Sequence, residues 1–127
     1  MSEQILIVDD SALSRRTLRR IVESAGYEAV EADDGMTALE VYFLEKPVLV
    51  LLDLVMKGMY GLDVLMKLRE MDPKALVVVA SADIQSSTRT MADEAGALGF
   101  INKPFISEQV IASVAAALAE GATSETN

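Results

Sequence analysis

The chain of 127 residues contains neither histidine nor cysteine. Without cysteine there is no disulfide framework and no thiolate metal site, and the absence fits a reducing compartment. Without histidine there is no Ser-His-Asp triad, no imidazole base, no His-ligated zinc and no phosphohistidine on this chain. Acid chemistry is left to carboxylates, hydroxyls and lysine. Also missing is any apolar run near the roughly 20 residues that cross a bilayer. The start, Met1-Ser2-Glu3-Gln4, lacks the basic stretch and long apolar segment of a signal peptide. These absences lead us to expect a soluble, cytoplasmic protein. Positive charge is scarce: 11 Lys and Arg stand against 20 Asp and Glu, a formal net charge of −9. That balance argues against nucleic acid or an anionic membrane as partner, and it suits a protein that binds a divalent cation.

Hydrophobic residues make up 51% of the chain, enough for a packed core. The length fits one domain over residues 1–127, with a core of about 4–120 and a flexible tail at 121–127. Four short apolar runs read as strands: Ile5-Leu6-Ile7-Val8, Val48-Leu49-Val50-Leu51-Leu52, Leu76-Val77-Val78-Val79-Ala80 and the weaker Gly99-Phe100-Ile101-Asn102. Runs this short, apolar on both faces, suit strands covered from both sides. Tyr27 to Ala32 alternates instead and reads as a strand nearer an edge. Helical spacing marks Leu13–Ala25, ending before Gly26, then Ala38–Tyr42, ending before Pro47, and Leu62–Met71, ending at Asp72-Pro73. A polar helix follows from about Ser86 to Ala95. The last helix carries Val110, Ile111, Val114, Ala115 and Leu118, with Ser107 as its expected N-cap. Strand and helix alternate five times, which predicts an α/β fold with a doubly wound parallel sheet.

In such a sheet, ligands bind outside the carboxyl ends of the strands. The strand ends here carry Asp9-Asp10, Asp53, Ser81 and Lys103. Three carboxylates sharing one rim repel one another unless a cation neutralises them, and a hard, oxygen-seeking ion such as Mg²⁺ suits them. A lysine and a hydroxyl beside them offer donors to an anion such as a phosphoryl group.

Ile-Leu-Ile-Val-Asp-Asp at the first strand, Leu-Leu-Asp53-Leu at the third, Ala80-Ser81-Ala82 at the fourth and Lys103-Pro104-Phe105 at the fifth closely resemble the receiver domain of two-component response regulators, from about Gln4 to about Glu120. The resemblance implies a (βα)5 flavodoxin-like fold with strand order 2-1-3-4-5. It implies that Asp53 is the phospho-acceptor and that Asp9, Asp10, Asp53 and the backbone carbonyl of Val55 hold Mg²⁺. Ser81 and Lys103 would meet the phosphoryl oxygens, Phe100 would be a switch aromatic, and the Lys103-Pro104 bond would be cis. Implied partners are a sensor histidine kinase or histidine phosphotransfer protein and a downstream effector, as in chemotaxis-type regulators or phosphorelay intermediates. The chain would act as a switch, not as a turnover enzyme.

Three positions depart from the pattern. Lys57 replaces a usual proline, Val55 replaces a common polar side chain, and Asp83 follows Ser81 by two residues; together they leave the phosphoryl lifetime open. The cluster Arg15-Arg16-Arg19-Arg20 reads as a solvated helix face, with a docking face as the alternative. Met56, Met59, Met66, Met71 and Met91 read as core or loop packing. Two rival functions are a phosphatase of the haloacid-dehalogenase type, which needs a second acid where Val55 stands, and a non-phosphorylated pseudo-receiver that only binds. A flavin or nucleotide site lacks any glycine-rich loop.

Overall fold

Three strands are apolar along their length, which places them where both faces are covered. The structure is a computed structural model that describes residues 3–56, 60–82 and 85–126, with the backbone alone at 123–126. β1 (Gln4–Val8), β3 (Leu49–Leu52) and β4 (Val77–Ser81) form the middle of a five-stranded sheet. β2 (Glu28–Ala32) and β5 (Gly99–Asn102) are its edges, so the order is β2-β1-β3-β4-β5. Every pairing is parallel: Ile5 stands opposite Leu49, Val50 opposite Val77, and Val79 opposite Phe100. β2 is partly exposed, as an alternating edge sequence requires.

Successive side chains on a strand point to opposite faces. Ile5, Ile7, Leu49, Leu51, Val78 and Ala80 therefore line one layer, covered by α1 (Ala12–Ser24) and α5 (Ser107–Thr126). Leu6, Val8, Val50, Leu52, Val77 and Val79 line the other, under α2 (Gly35–Glu45), α3 (Gly61–Met71) and α4 (Ser86–Glu94). Each fully buried Leu or Ile in these layers contributes about 1.5–3 kcal/mol, so the sheet is a stiff base for whatever its ends carry.

Local chemistry starts and stops the helices. The Ser11 hydroxyl accepts from the Ser14 amide at 3.2 Å, so α1 begins directly after Asp10. Asp34 caps α2 through the Thr37 amide at 2.7 Å, which holds its carboxyl below the usual range. Gly26 follows α1 with φ of 96°, a conformation glycine adopts without strain. No helix among the described residues is long and apolar enough to cross a membrane.

Four local expectations differ from the structure. Ser107 is the first residue of α5, and the carbonyl of Ile106 takes the amide of Val110, so Ile106 occupies the cap position. α5 runs to Thr126, past the point at 121 where a tail was expected, and its buried Gly121 lies so close to Leu76 that a Cβ there would come within 2.4 Å. Leu13 faces solvent on the first turn of α1. Met66, Met71 and Met91 are also exposed, because the apolar stripes of α3 and α4 are already filled by Val64, Leu65, Leu68 and Ala92. Met56 is half-buried against the core as expected, and Met59 lies outside the described residues.

Candidate functional site

The carboxyl ends of β1, β3, β4 and β5 meet at one rim, and each delivers a polar side chain there. The Asp53 amide donates to the Val8 carbonyl at 2.9 Å, which fixes the end of β3 against the end of β1. Asp53 Oδ1 accepts from the Val55 amide at 3.0 Å and from the Ser81 hydroxyl. Asp53 Oδ2 accepts from Lys103 Nζ at 3.0 Å. Ser81 Oγ in turn accepts from the Leu54 amide at 3.3 Å, so the hydroxyl bridges β4 to the turn after β3. The Lys103 amide donates to the Ser81 carbonyl at 3.1 Å, and the Lys103-Pro104 bond is cis. Gly61 opens α3 against this turn. A Cβ on it would lie 2.3 Å from Leu54 Cα and 2.5 Å from the Asp53 carbonyl oxygen, so only glycine allows the approach.

Asp9 is held on three sides. Its amide donates to the Ala32 carbonyl at 3.2 Å, its carbonyl accepts from Arg15 Nη1 at 2.7 Å, and its Oδ1 accepts from the Ser11 amide at 2.8 Å. Its Oδ2 is buried and lies 2.9 Å from Lys103 Nζ, yet it accepts no well-aligned hydrogen bond. Asp9 and Asp53 are buried and Asp10 is exposed. One oxygen from each of the three carboxylates lies within 4.8 Å of the others.

The electrostatics follow from this crowding. Burial pushes the Asp9 carboxyl above the usual carboxylate range; Lys103 and the Ser11 amide pull it back in part, and Asp53 pushes it up again. Burial pulls the Lys103 ammonium down, but the carboxylates of Asp9 and Asp53 beside it outweigh that and leave it raised. One ammonium thus serves two carboxylates, and a third stands beside them. The underused Asp9 Oδ2 and the all-oxygen donor set fit a hard divalent cation.

The five side chains singled out in the sequence, Asp9, Asp10, Asp53, Ser81 and Lys103, therefore converge. Val55 contributes its amide to Asp53, while the residue as a whole is 69% exposed. Phe100 is half-buried in β5, packed against the core, with the Arg89 guanidinium 4.4 Å from its ring centroid. Lys57 and Asp83 lie outside the described residues. Sequence reasoning missed the backbone donors at Leu54 and Val55. It also took Arg15 and Arg19 for a solvated face, whereas both are ion-paired to Glu31 of β2, at 2.9 and 2.6 Å. The available signal was their spacing of four, which puts both on one helix flank next to an alternating edge strand.

A parallel (βα)5 sheet with an acidic rim, a buried hydroxyl and a lysine after the last strand defines the receiver class. The response regulator receiver domain family matches residues 5–115, and the chain belongs to it. The chain is 41% identical over 112 residues to the chemotaxis protein CheY of Thermotoga maritima, covering 87% of this chain and 93% of that protein. It is 34% identical over 110 residues to the sporulation initiation phosphotransferase F of Bacillus subtilis, covering 87% and 89%. The fold matches the crystal structure of a CheY-like response regulator receiver domain protein from Methanospirillum hungatei with a TM-score of 0.92, at 24% identity over 98% of this chain and 99% of that one. It is a CheY-like receiver domain, in a class of signalling switches rather than turnover enzymes.

Proposed function

We propose that this receiver is a phosphorylation-dependent switch in which Asp53 accepts the phosphoryl group. The observation that carries the reading is the convergence on one carboxylate of the Ser81 hydroxyl, the Val55 amide and the Lys103 ammonium, beside two further acids. An Asp53 oxygen forms a bond to phosphorus as the phosphorus–nitrogen bond of a kinase phosphohistidine breaks, and the departing imidazole keeps the electron pair. Ser81 and Lys103 are preplaced donors for the phosphoryl oxygens, in a buried site where such bonds count for more than in water. Asp9, Asp10, Asp53 and the Val55 carbonyl would hold Mg²⁺, which when bound supplies positive charge to offset that of the transferring group.

The acyl phosphate adds roughly −1.5 to −2 charge and three strong acceptors. Ser81 and Lys103 must then leave Asp53 for those oxygens, which draws the loops after β4 and β5 inward. Phe100, now under Arg89, is the switch residue proposed to repack when they move, altering the α4–β5–α5 face that a partner reads. The donor is a histidine kinase or phosphotransfer protein, and the recipient of the signal is an effector protein; onward transfer of the phosphoryl group in a relay is the alternative. We place the protein in the cytoplasm.

Incubation with acetyl phosphate and Mg²⁺ is expected to give a single phosphoryl adduct by intact mass, absent in Asp53→Ala and without metal. An unchanged adduct in Asp53→Ala overturns the assignment. No adduct on the unaltered protein favours a pseudo-receiver. Repeated turnover of a phosphate ester favours the haloacid-dehalogenase reading.

A further inference from the structure

Arg15 is not part of the acidic rim, yet it is tied to it. Its Nη1 donates to the Asp9 carbonyl at 2.7 Å and its Nε to Glu31 Oε1 at 2.9 Å, with its side chain only 17% exposed. Glu31 Oε2 is taken by Arg19 at 2.6 Å, and Arg19 also reaches Glu23 at 3.2 Å. Glu31 is thus pinned between two guanidinium groups, and hydrogen bonds from them hold its carboxyl below the usual range although burial pushes it up. A planar guanidinium with its Nε held on a carboxylate presents its remaining donors in fixed directions. One of them, on Nη1, is spent on the backbone of Asp9. With its amide on Ala32, its carbonyl on Arg15 and its Oδ1 on Ser11, Asp9 has one polar atom left without an aligned hydrogen bond, and that is Oδ2 at the centre of the rim.

We infer that Arg15, oriented by Glu31, is a positioning residue for the metal site: it fixes the backbone at Asp9, and so the acidic turn, in the geometry that takes the cation. The inference rests on the metal reading of the rim given above. Groups that orient a metal ligand commonly alter affinity about 10–100-fold when removed. The exposed neighbour Arg16 carries the same charge on the same helix and separates a positional effect from a long-range electrostatic one.

The test is a Mg²⁺ titration of the full chain followed by backbone amide chemical shifts at Asp9, Asp10 and Ser11, alongside thermal unfolding without metal. Arg15→Met keeps the aliphatic stem and is expected to raise the Mg²⁺ Kd about tenfold. Glu31→Gln, which loosens Arg15 without removing it, gives a smaller rise. Arg15→Lys, which keeps the charge but not the planar fork that spans Glu31 and Asp9, falls between Arg15→Met and the unaltered protein. Arg16→Met leaves Kd within about twofold, inside the range of a screened surface charge. At saturating Mg²⁺, labelling of Arg15→Met by acetyl phosphate returns to the unaltered rate. A lower unfolding temperature for Arg15→Met with unchanged Kd shows a purely structural role and overturns the inference, as does an equal loss in Arg16→Met. If the unaltered protein binds no Mg²⁺, the metal reading falls and the inference with it; if it binds and Arg15→Met binds equally well, only the inference falls.

Discussion

Replacing Asp9 by asparagine is expected to stabilise the metal-free protein and to abolish most of its stabilisation by Mg²⁺. Asparagine keeps the shape and an oxygen for the Ser11 amide, now 2.8 Å from Oδ1, and removes one buried charge. At an effective dielectric constant of about 20, two unit charges at the outer limit of 4.8 Å that bounds these oxygens repel by roughly 3.5 kcal/mol. Losing the Asp9 charge thus relieves about 7 kcal/mol against Asp10 and Asp53. It forfeits the attraction to Lys103 Nζ at 2.9 Å, about 6 kcal/mol on the same scale. These terms nearly cancel, and what remains is the cost of burying a carboxylate over that of a neutral amide. We expect a net gain of about 1–3 kcal/mol in EDTA, with each kcal/mol raising Tm by about 3–6 °C at this chain length. Mg²⁺ at a thousand times its Kd adds about 4.1 kcal/mol to the unaltered protein, and little to the variant. The order of stability therefore reverses between EDTA and Mg²⁺, which urea or thermal unfolding in both buffers reads directly. Acid narrows the gap in EDTA. The raised carboxyl of Asp9 contributes stability that is present below the ordinary carboxylate range and is lost as pH rises through the raised value. A variant less stable than the unaltered protein in EDTA, with an equal gain from Mg²⁺, refutes the reasoning.

Gly61→Ala places a methyl 2.3 Å from Leu54 Cα, against backbone that cannot yield cheaply; it is expected to cost about 1–3 kcal/mol or more by urea unfolding and to slow acetyl phosphate labelling of Asp53. Tyr42→Phe removes the hydroxyl that donates to Asp72 Oδ2 at 2.8 Å, in a phenol whose pKa burial and that bond push up. The loss is about 1.5–3 kcal/mol, as for a hydrogen bond to a charged group, and labelling is unchanged because the pair lies at the far ends of α2 and α3.

Much of the fold was legible because the signals are periodic. Short runs such as Leu49–Leu52 and Val77–Ala80 are apolar on both faces, and only a covered parallel strand accommodates that. Helix ends were marked by Gly26, Pro47 and Asp72-Pro73. The methionines misled because a flexible apolar side chain carries no sign of which flank of its helix it occupies. Once Val64, Leu65 and Leu68 fill the inward stripe, Met66 and Met71 have nowhere else to go. The end of α5 was misread for a related reason: polar residues past 121 suggested a tail, while Gly121 owes its place in the helix to Leu76, a neighbour far away in sequence.

By itself the sequence determined which chemistry is available. Carboxylates, a hydroxyl and a lysine stand at the ends of strands, and alternation with helices compels those ends to share an edge, since parallel strands all point the same way. Tertiary structure alone decided how the charges are distributed once there. Lys103 is divided between Asp9 and Asp53, Asp9 Oδ2 is left without an aligned donor, and Arg15 is pinned by Glu31 across two elements. Those arrangements depend on distances of a few ångströms between segments remote in the chain, and no local pattern of residues encodes them.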